Sequence, residues 1–262
     1  MPPQLLVLGL GPGDDALLTQ QVRDSIASAS DAFGYFPYVE RLQGLEHLQL
    51  HASDNREELE RARNALNLAA QGRKVLMLSS GDPGVFAMAS AVFETLEQAS
   101  PEEHARWQGV DVQVQPGITA MLAAAARLGA PLGHDFCTIN LSDNLKPASI
   151  IERRIRLAAQ ADFAMAFYNP CSRSRPQGFS RALQVLQQEC EPERLICFAR
   201  NVSRPDETLL VVRLLDAQAH MADMRTVVIV GNSQTRQVGK HVYTPRSYEA
   251  GSSATSAVTD HA

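Results

Sequence analysis

At 262 residues, with 45% apolar and 20% charged residues and a formal net charge of −5, the chain has the make-up of an ordinary globular protein of one large or two small domains. The acidic balance lacks the basic field of a nucleic-acid binder, and no apolar run approaches the ~18 residues that span a bilayer. The N-terminus lacks the basic start, apolar core and cleavage site of a secretory signal, and Cys137, Cys171, Cys190 and Cys197 fall at no CxxC spacing, so a reduced, cytoplasmic protein without a metal site is expected.

Apolar runs of about four to eight residues alternate with helical patterns, which predicts an α/β fold with a largely parallel sheet. In chain order we expect a strand at Gln4–Leu10, helices at Leu17–Ala29 and Arg56–Gln71, and a strand at Lys74–Ser79. A helix at Val85–Gln98, a strand at Asp111–Val114, a helix at Thr119–Leu128 and a strand at Phe136–Leu141 follow. The next helix, Pro147–Ala161, places Ile151, Ile155 and Ala158 on one face and Arg153, Arg154 and Arg156 elsewhere, an amphipathic pattern. After it come a strand at Asp162–Tyr168, a helix at Gly178–Glu189, and strands at Arg194–Arg200, Thr208–Leu214 and Arg225–Val230. A change of character near Pro116 predicts domains at 1–116 and 117–240. The Ser-, Thr-, Ala- and Gly-rich tail, 241–262, is expected to be disordered.

Four glycine- or proline-bearing turns each follow a strand, at the edge where open α/β sheets bind ligands. The first, Gly9-Leu10-Gly11-Pro12-Gly13-Asp14, departs from the dinucleotide fingerprint: Asp14 stands where a third glycine is needed, and a carboxylate there repels a pyrophosphate. The second is Ser79-Ser80-Gly81-Asp82-Pro83-Gly84. There Asp82 either caps a helix or accepts from a ribose hydroxyl or a positively charged ligand group. The third is Gln115-Pro116-Gly117-Ile118-Thr119-Ala120, and the fourth Tyr168-Asn169-Pro170 with Ser172 and Arg175. His134-Asp135 and Ser142-Asp143 offer acid–base groups. No G-x-S-x-G elbow supports acyl transfer.

Together with Arg225-Thr-Val-Val-Ile-Val-Gly231, these turns in their order and spacing resemble the tetrapyrrole methylase family over about residues 4–236. The resemblance implies a two-domain α/β enzyme that carries S-adenosylmethionine in an inter-domain cleft. It assigns cofactor contacts to Ser80, Gly81, Asp82, Thr119, Ala120, Tyr168, Asn169, Asn201 and Thr226, although many relatives have Met where this chain has Asn169. The first loop, with Gly11, Pro12 and Gly13, then faces a bulky substrate, and S-adenosylmethionine has no phosphate for Asp14 to repel.

Three stretches resemble the branch of the family that methylates carbon 17 of precorrin-3B and contracts the macrocycle to precorrin-4, in cobalamin synthesis. They are Gly34–Tyr38, Leu128–Phe136 with Leu141–Pro147, and Tyr168–Arg175. Contraction needs a base for the hydroxyl on carbon 20, and Asp14, Asp82, His134 and Asp143 are the candidates, His134 first because an imidazole titrates near working pH. Arg175 falls on the Tyr-Asn-Pro-x-Ser-x-x-Arg pattern and is expected to meet a substrate carboxylate. The family further implies a homodimer; no iron–sulfur domain is expected. The competing readings are a sister methylase acting on another carbon, such as carbon 11 of precorrin-4, a nicotinamide oxidoreductase, and a non-catalytic S-adenosylmethionine-binding module.

Overall fold

The computed structural model describes residues 3–172 and 175–247. By its contacts the chain forms two compact units: one runs to Ala124 and takes in Arg200–Thr208, the other holds Ala125–Ala199 and resumes at Leu209.

The first unit contains, in order, β1 (Gln4–Gly9), α1 (Gln20–Ser28), β2 (Asp31–Tyr35), the one-turn α2 (Phe36–Val39), β3 (Gln49–Ser53), α3 (Glu58–Ala69), β4 (Lys74–Ser79), α4 (Met88–Glu97), α5 (Pro101–Trp107), β5 (Asp111–Gln115) and the start of α6 (Ala120–Leu128). The strands form one sheet, β3-β2-β4-β1-β5, in which every neighbouring pair is parallel. Register pairs Gly9 with Ser79 and Leu8 with Gln115, so the loops after β1, β4 and β5 leave from one edge. Side chains alternate between the two faces of a strand. Leu5, Val7, Val75 and Met77 pack with Ala62, Ala65 and Leu66 of α3, Val92 of α4 and Trp107, while Leu6, Leu8, Leu76 and Leu78 pack with Val22 and Ile26 of α1 and with Val39 and Leu42. Both faces being covered, β1 and β4 read as unbroken apolar runs.

Two strands and two helices in this unit, β2, β3, α2 and α5, go beyond the sequence expectation. β2 (Asp-Ala-Phe-Gly-Tyr) and β3 (Gln-Leu-His-Ala-Ser) contain no β-branched residue and owe their pairing to tertiary context. Helix α5 is set by local chemistry: the Ser100 hydroxyl accepts from the Glu103 N–H at 3.2 Å, the Glu103 carboxylate accepts from the Ser100 N–H at 2.9 Å, and Pro101 occupies the first turn.

The second unit adds β6 (Gly129–Ala130), β7 (Phe136–Asn140), α7 (Ala148–Gln160), β8 (Ala164–Tyr168), α8 (Gly178–Glu189), β9 (Leu195–Arg200), β10 (Thr208–Arg213), β11 (Thr226–Val230), β12 (Arg236–Val238) and β13 (His241–Tyr243). Its main sheet runs β10-β9-β11-β8-β7. β7 and β8 are parallel and β8 and β11 antiparallel, so the expected parallel sheet is confined to the first unit. Met165, Phe167, Phe198, Val228 and Val230 pack against Ile151 and Ile155 of α7 and Phe179 and Leu186 of α8, which is the apolar face expected of the Pro147–Ala161 helix.

A small sheet, β12-β13-β6, corrects the expectation of disorder from His241. Val242 is fully buried, the Thr244 N–H bonds the Ala130 carbonyl at 3.0 Å, and the Thr244 hydroxyl bonds the Pro131 carbonyl at 2.6 Å. The remainder of that tail, 248–262, lies outside the described residues. No helix among the described residues is long and apolar enough to cross a membrane.

Candidate active site

In the first unit the loops after β1, β4 and β5 are tied into one structure by their backbones. The Leu10 N–H bonds the Ser79 carbonyl at 2.8 Å, and Gly11 and Gly81 exchange two bonds, at 3.1 and 2.8 Å. Both glycines take left-handed backbone angles, φ +66° and +64°, which cost other residues energy. The third loop presses closer still. A Cβ on Gly117 would lie 2.2 Å from the Gly81 carbonyl oxygen and 2.6 Å from that of Gly9, so only glycine fits this crossing.

Asp82 fastens the same junction. Its Oδ1 accepts from the Gly84 N–H at 2.8 Å and its Oδ2 from the Gly117 N–H at 3.0 Å. Helix α4 begins only at Met88, whose N–H is capped by the Ser79 hydroxyl at 3.1 Å; the helix-capping alternative for Asp82 is therefore not the one realised. Each carboxylate oxygen has two acceptor sites, so Asp82 retains capacity for a ligand hydroxyl or ammonium group. Thr119 is buried, and its Cα lies 3.5 Å from where a Gly81 Cβ would stand, with the Ala120 nitrogen at 3.8 Å. Gly81, Asp82, Thr119 and Ala120 thus lie at one junction, beside Ser80. The set offers hydroxyl, carboxylate and close-approach backbone without a phosphate cradle, and this donor chemistry fits a sulfonium cofactor bearing ribose, amino and carboxylate groups.

The first loop has a further neighbour that sequence reasoning passed over. A Cβ on Gly13 would meet the Arg204 Cγ at 2.7 Å and the Ser203 carbonyl at 3.0 Å. Asn201 belongs to that turn; its side-chain amide donates to Asp206 at 2.6 Å. Pro12 is buried. Asp14 is exposed, and its Oδ1 accepts from the Ala16 N–H at 2.8 Å, capping the single turn Asp15–Leu17.

In the second unit Tyr168 ends β8 and Asn169 turns left-handed, φ +53°. Its side-chain amide donates to the side-chain Oδ1 of Asn140 at 3.1 Å, which also accepts from the Ser142 N–H at 2.9 Å. Thr226 opens β11, which pairs antiparallel with β8, Val228 opposite Phe167. The Thr226 hydroxyl donates to Asp223 at 2.8 Å.

Asp143 faces two guanidiniums, Arg181 at 2.8 Å and Arg175 at 3.8 Å. Arg175 is 11% exposed, and its Nε and Nη1 are buried without a hydrogen-bond partner among the described residues. Burial lowers the pKa of nearby Lys146, and Arg154 and Arg175 lower it further against the opposing pull of Asp143, the mark of a locally cationic surface. His134 Nδ1 lies 2.8 Å from the Asp135 backbone N–H and accepts from it. In a neutral imidazole this places the proton on Nε2, which makes that nitrogen a donor.

The tetrapyrrole (corrin/porphyrin) methylase model matches residues 4–218. The chain is 48% identical to precorrin-3B C(17)-methyltransferase of Sinorhizobium sp, over 95% of this chain and 98% of that protein. It is 45% identical to the cobalamin biosynthesis protein CobIJ of Mycobacterium tuberculosis over 94% of this chain, and spans only about half, 48%, of that longer protein. A crystal structure of the methyltransferase CobJ superposes with a TM-score of 0.88 at 59% identity, covering 92% of this chain and 99% of that one. With a family match over most of its length and a full-length relative at this identity, the chain belongs to the tetrapyrrole methylase family.

Proposed function

We infer that this protein transfers a methyl group from S-adenosylmethionine to carbon 17 of precorrin-3B, with ring contraction to precorrin-4, in cobalamin biosynthesis. The Sinorhizobium relative, matched nearly end to end, and CobJ carry this reading. Within the molecule its support is the glycine junction of Gly9, Gly81 and Gly117, which brings the backbones of three ligand loops together at the sheet edge around the Asp82 carboxylate. Bound S-adenosylmethionine supplies an electrophilic methyl on a sulfonium. The protein's task is then to place the attacking carbon in line at about 3–3.5 Å.

We assign cofactor binding to Ser80, Gly81, Asp82, Thr119 and Ala120, with Asn201, and extend the assignment to Tyr168, Asn169 and Thr226. The substrate assignment falls to Gly11, Pro12, Gly13 and Arg175. Among the base candidates the geometry favours Asp14. One of its oxygens caps the following turn, and the other makes no hydrogen bond to a described residue. Asp143 is engaged by two arginines, and both oxygens of Asp82 serve the loop. His134, with the proton on Nε2, suits donation to the lactone carboxylate that leaves. Asp14 takes the proton from the hydroxyl on carbon 20 as the ring bond migrates.

The deciding experiment is incubation with precorrin-3B and S-adenosylmethionine, with the product identified by mass and NMR. Precorrin-4 with one equivalent of S-adenosylhomocysteine is expected, and Asp14→Asn is expected to slow contraction about 100-fold or more while cofactor affinity stays. A product methylated on another carbon would replace this reading with that of a sister enzyme.

A homodimer and a cytoplasmic location belong to the same proposal. β10 is an edge strand with Leu209 and Leu210 exposed, the kind of apolar edge that proteins cover. The four cysteines are unpaired thiols, as in a reducing compartment. Light scattering giving a monomer mass would remove the dimer, and an extracellular fraction carrying the protein would remove the location.

A further inference from the structure

The Asn201–Arg204 turn is an unusual piece of backbone. Asn201 and Ser203 both lie in the left-handed region, φ +49° and +64°, which residues other than glycine adopt rarely and at a cost. Asn201, Val202 and Ser203 are buried, at 5%, 5% and 8% exposure, whereas Arg204 emerges exposed. Its stem rests against Gly13, where a Cβ would be 2.7 Å from its Cγ. The turn is fixed from behind: Asn201 donates to Asp206, the Ser203 N–H to the Glu207 carboxylate at 2.6 Å, and the Arg204 N–H to the Asn201 carbonyl at 3.0 Å.

The other cations at this loop are occupied in holding it. Arg41 donates to the Leu10 carbonyl and to Asp15, both at 2.8 Å, and Arg23 donates to the Asp15 carbonyl. The acids nearest Arg204 in sequence turn elsewhere, Asp206 to Asn201 and Arg200 and Glu207 to Ser203. Among the described residues no hydrogen bond or ion pair engages the Arg204 side chain. Its field still reaches the aromatic stretch beside it. Burial raises the pKa of Tyr38, and so does Tyr35, while Arg61 and Arg204 pull it back down.

We propose that Arg204 binds a peripheral carboxylate of the tetrapyrrole, presented over the first glycine loop by a strained, buried turn. This rests on the substrate reading of the first loop given above. A precorrin carries several acetate and propionate groups, and a guanidinium suits a carboxylate as a two-point donor. The strain has a use in this arrangement: it aims one side chain while its neighbours stay buried. Gly13 has a use as well, since any side chain there would displace the Arg204 stem.

The test is steady-state kinetics of Arg204→Ala and Arg204→Lys on the full protein, with precorrin-3B and with a precorrin-3B whose peripheral carboxylates are methyl esters. With the natural substrate Arg204→Ala should raise its KM roughly tenfold or more, the value of a charged hydrogen bond, and Lys should recover part of the loss. The KM for S-adenosylmethionine should change by less than about twofold, a span too small to register as a lost hydrogen bond. The ester should discriminate little between wild type and Arg204→Ala. Gly13→Ala should copy the Arg204→Ala profile. An active wild type with unchanged KM in Arg204→Ala, or a rise shared equally by both substrates, would make Arg204 a solvated or structural charge and overturn the proposal. A wild type that binds S-adenosylmethionine yet neither binds nor methylates precorrin-3B would overturn the functional reading itself, and this proposal with it.

Discussion

Arg175 carries an energetic demand that the described residues leave unanswered. Two of its nitrogens are buried without a partner, and an unsatisfied buried donor costs about 1–3 kcal/mol, more when charged. Asp143, at 3.8 Å, balances the charge without forming the hydrogen bond. A substrate carboxylate beside this buried guanidinium would add to the charge balance. Arg175→Ala should therefore raise the KM for precorrin-3B roughly tenfold or more and leave that for S-adenosylmethionine nearly unchanged. The same variant should not be much less stable than wild type, because the group removed is poorly satisfied. A KM rise confined to S-adenosylmethionine would put this arginine on the cofactor instead.

The loops after β1, β4 and β5 behave as one element, because Gly117 and Asp82 lock them. Gly117→Ala would drive a methyl group into the carbonyls of Gly81 and Gly9 at 2.2 and 2.6 Å. Backbone there must move, at about 1–3 kcal/mol, and the cofactor surface moves with it. Asp82→Asn keeps the size of the side chain but turns one of its acceptors into a donor facing an N–H, either Gly84 or Gly117. Both variants should weaken S-adenosylmethionine binding by roughly tenfold or more in calorimetry; unchanged affinity in folded protein would leave the junction without a role in binding. This lock explains what the sequence could and could not say. The turns themselves were readable, since each is a local cluster of Gly, Pro and Asp after a buried strand. The Asp82–Gly117 bond spans 35 residues and leaves no local trace, so its carboxylate was expected to face a ligand or cap a helix. Strands β1 and β4 were readable because they are buried on both faces, whereas β2 and β3 have ordinary compositions and are fixed by their neighbours. Helix α5 carried a readable Ser100–Glu103 capping box that the periodicity argument passed over.

Each unit has its own apolar packing, and in the first of them a buried polar cluster sits at the sheet edge away from the loops. Asp31, at the start of β2, is fully buried. It accepts from the Ser30 hydroxyl at 2.7 Å, bonds His51 Nε2 at 3.0 Å and accepts from Arg73 Nε at 2.6 Å. His51 is itself stacked on Phe33, with ring centroids 4.2 Å apart. Burial by itself would raise the Asp31 pKa, but the bonds from Ser30, His51 and Arg73, with the charge of Arg73, outweigh it, and the pKa lies below its ordinary 3.8. A carboxyl with a lowered folded pKa stabilises the fold fully above its unfolded pKa. That stabilisation is lost as the pH falls through the folded value. Asp31→Asn removes the charge at every pH and leaves Arg73 and His51 without their anion, so at pH 7 it should lower stability by about 1–3 kcal/mol. The gap between wild type and variant should narrow as the pH drops below about 4, where the wild-type carboxyl also takes up its proton. Because the cluster lies at the end of the sheet opposite the glycine junction, S-adenosylmethionine affinity at pH 7 should be the same in both proteins. Urea melts across pH 3 to 7 check the first claim and calorimetry the second. A constant gap across that range would mean that Asp31 stabilises by packing alone, and a loss of affinity would mean that strain at β2 reaches the ligand loops through the parallel sheet.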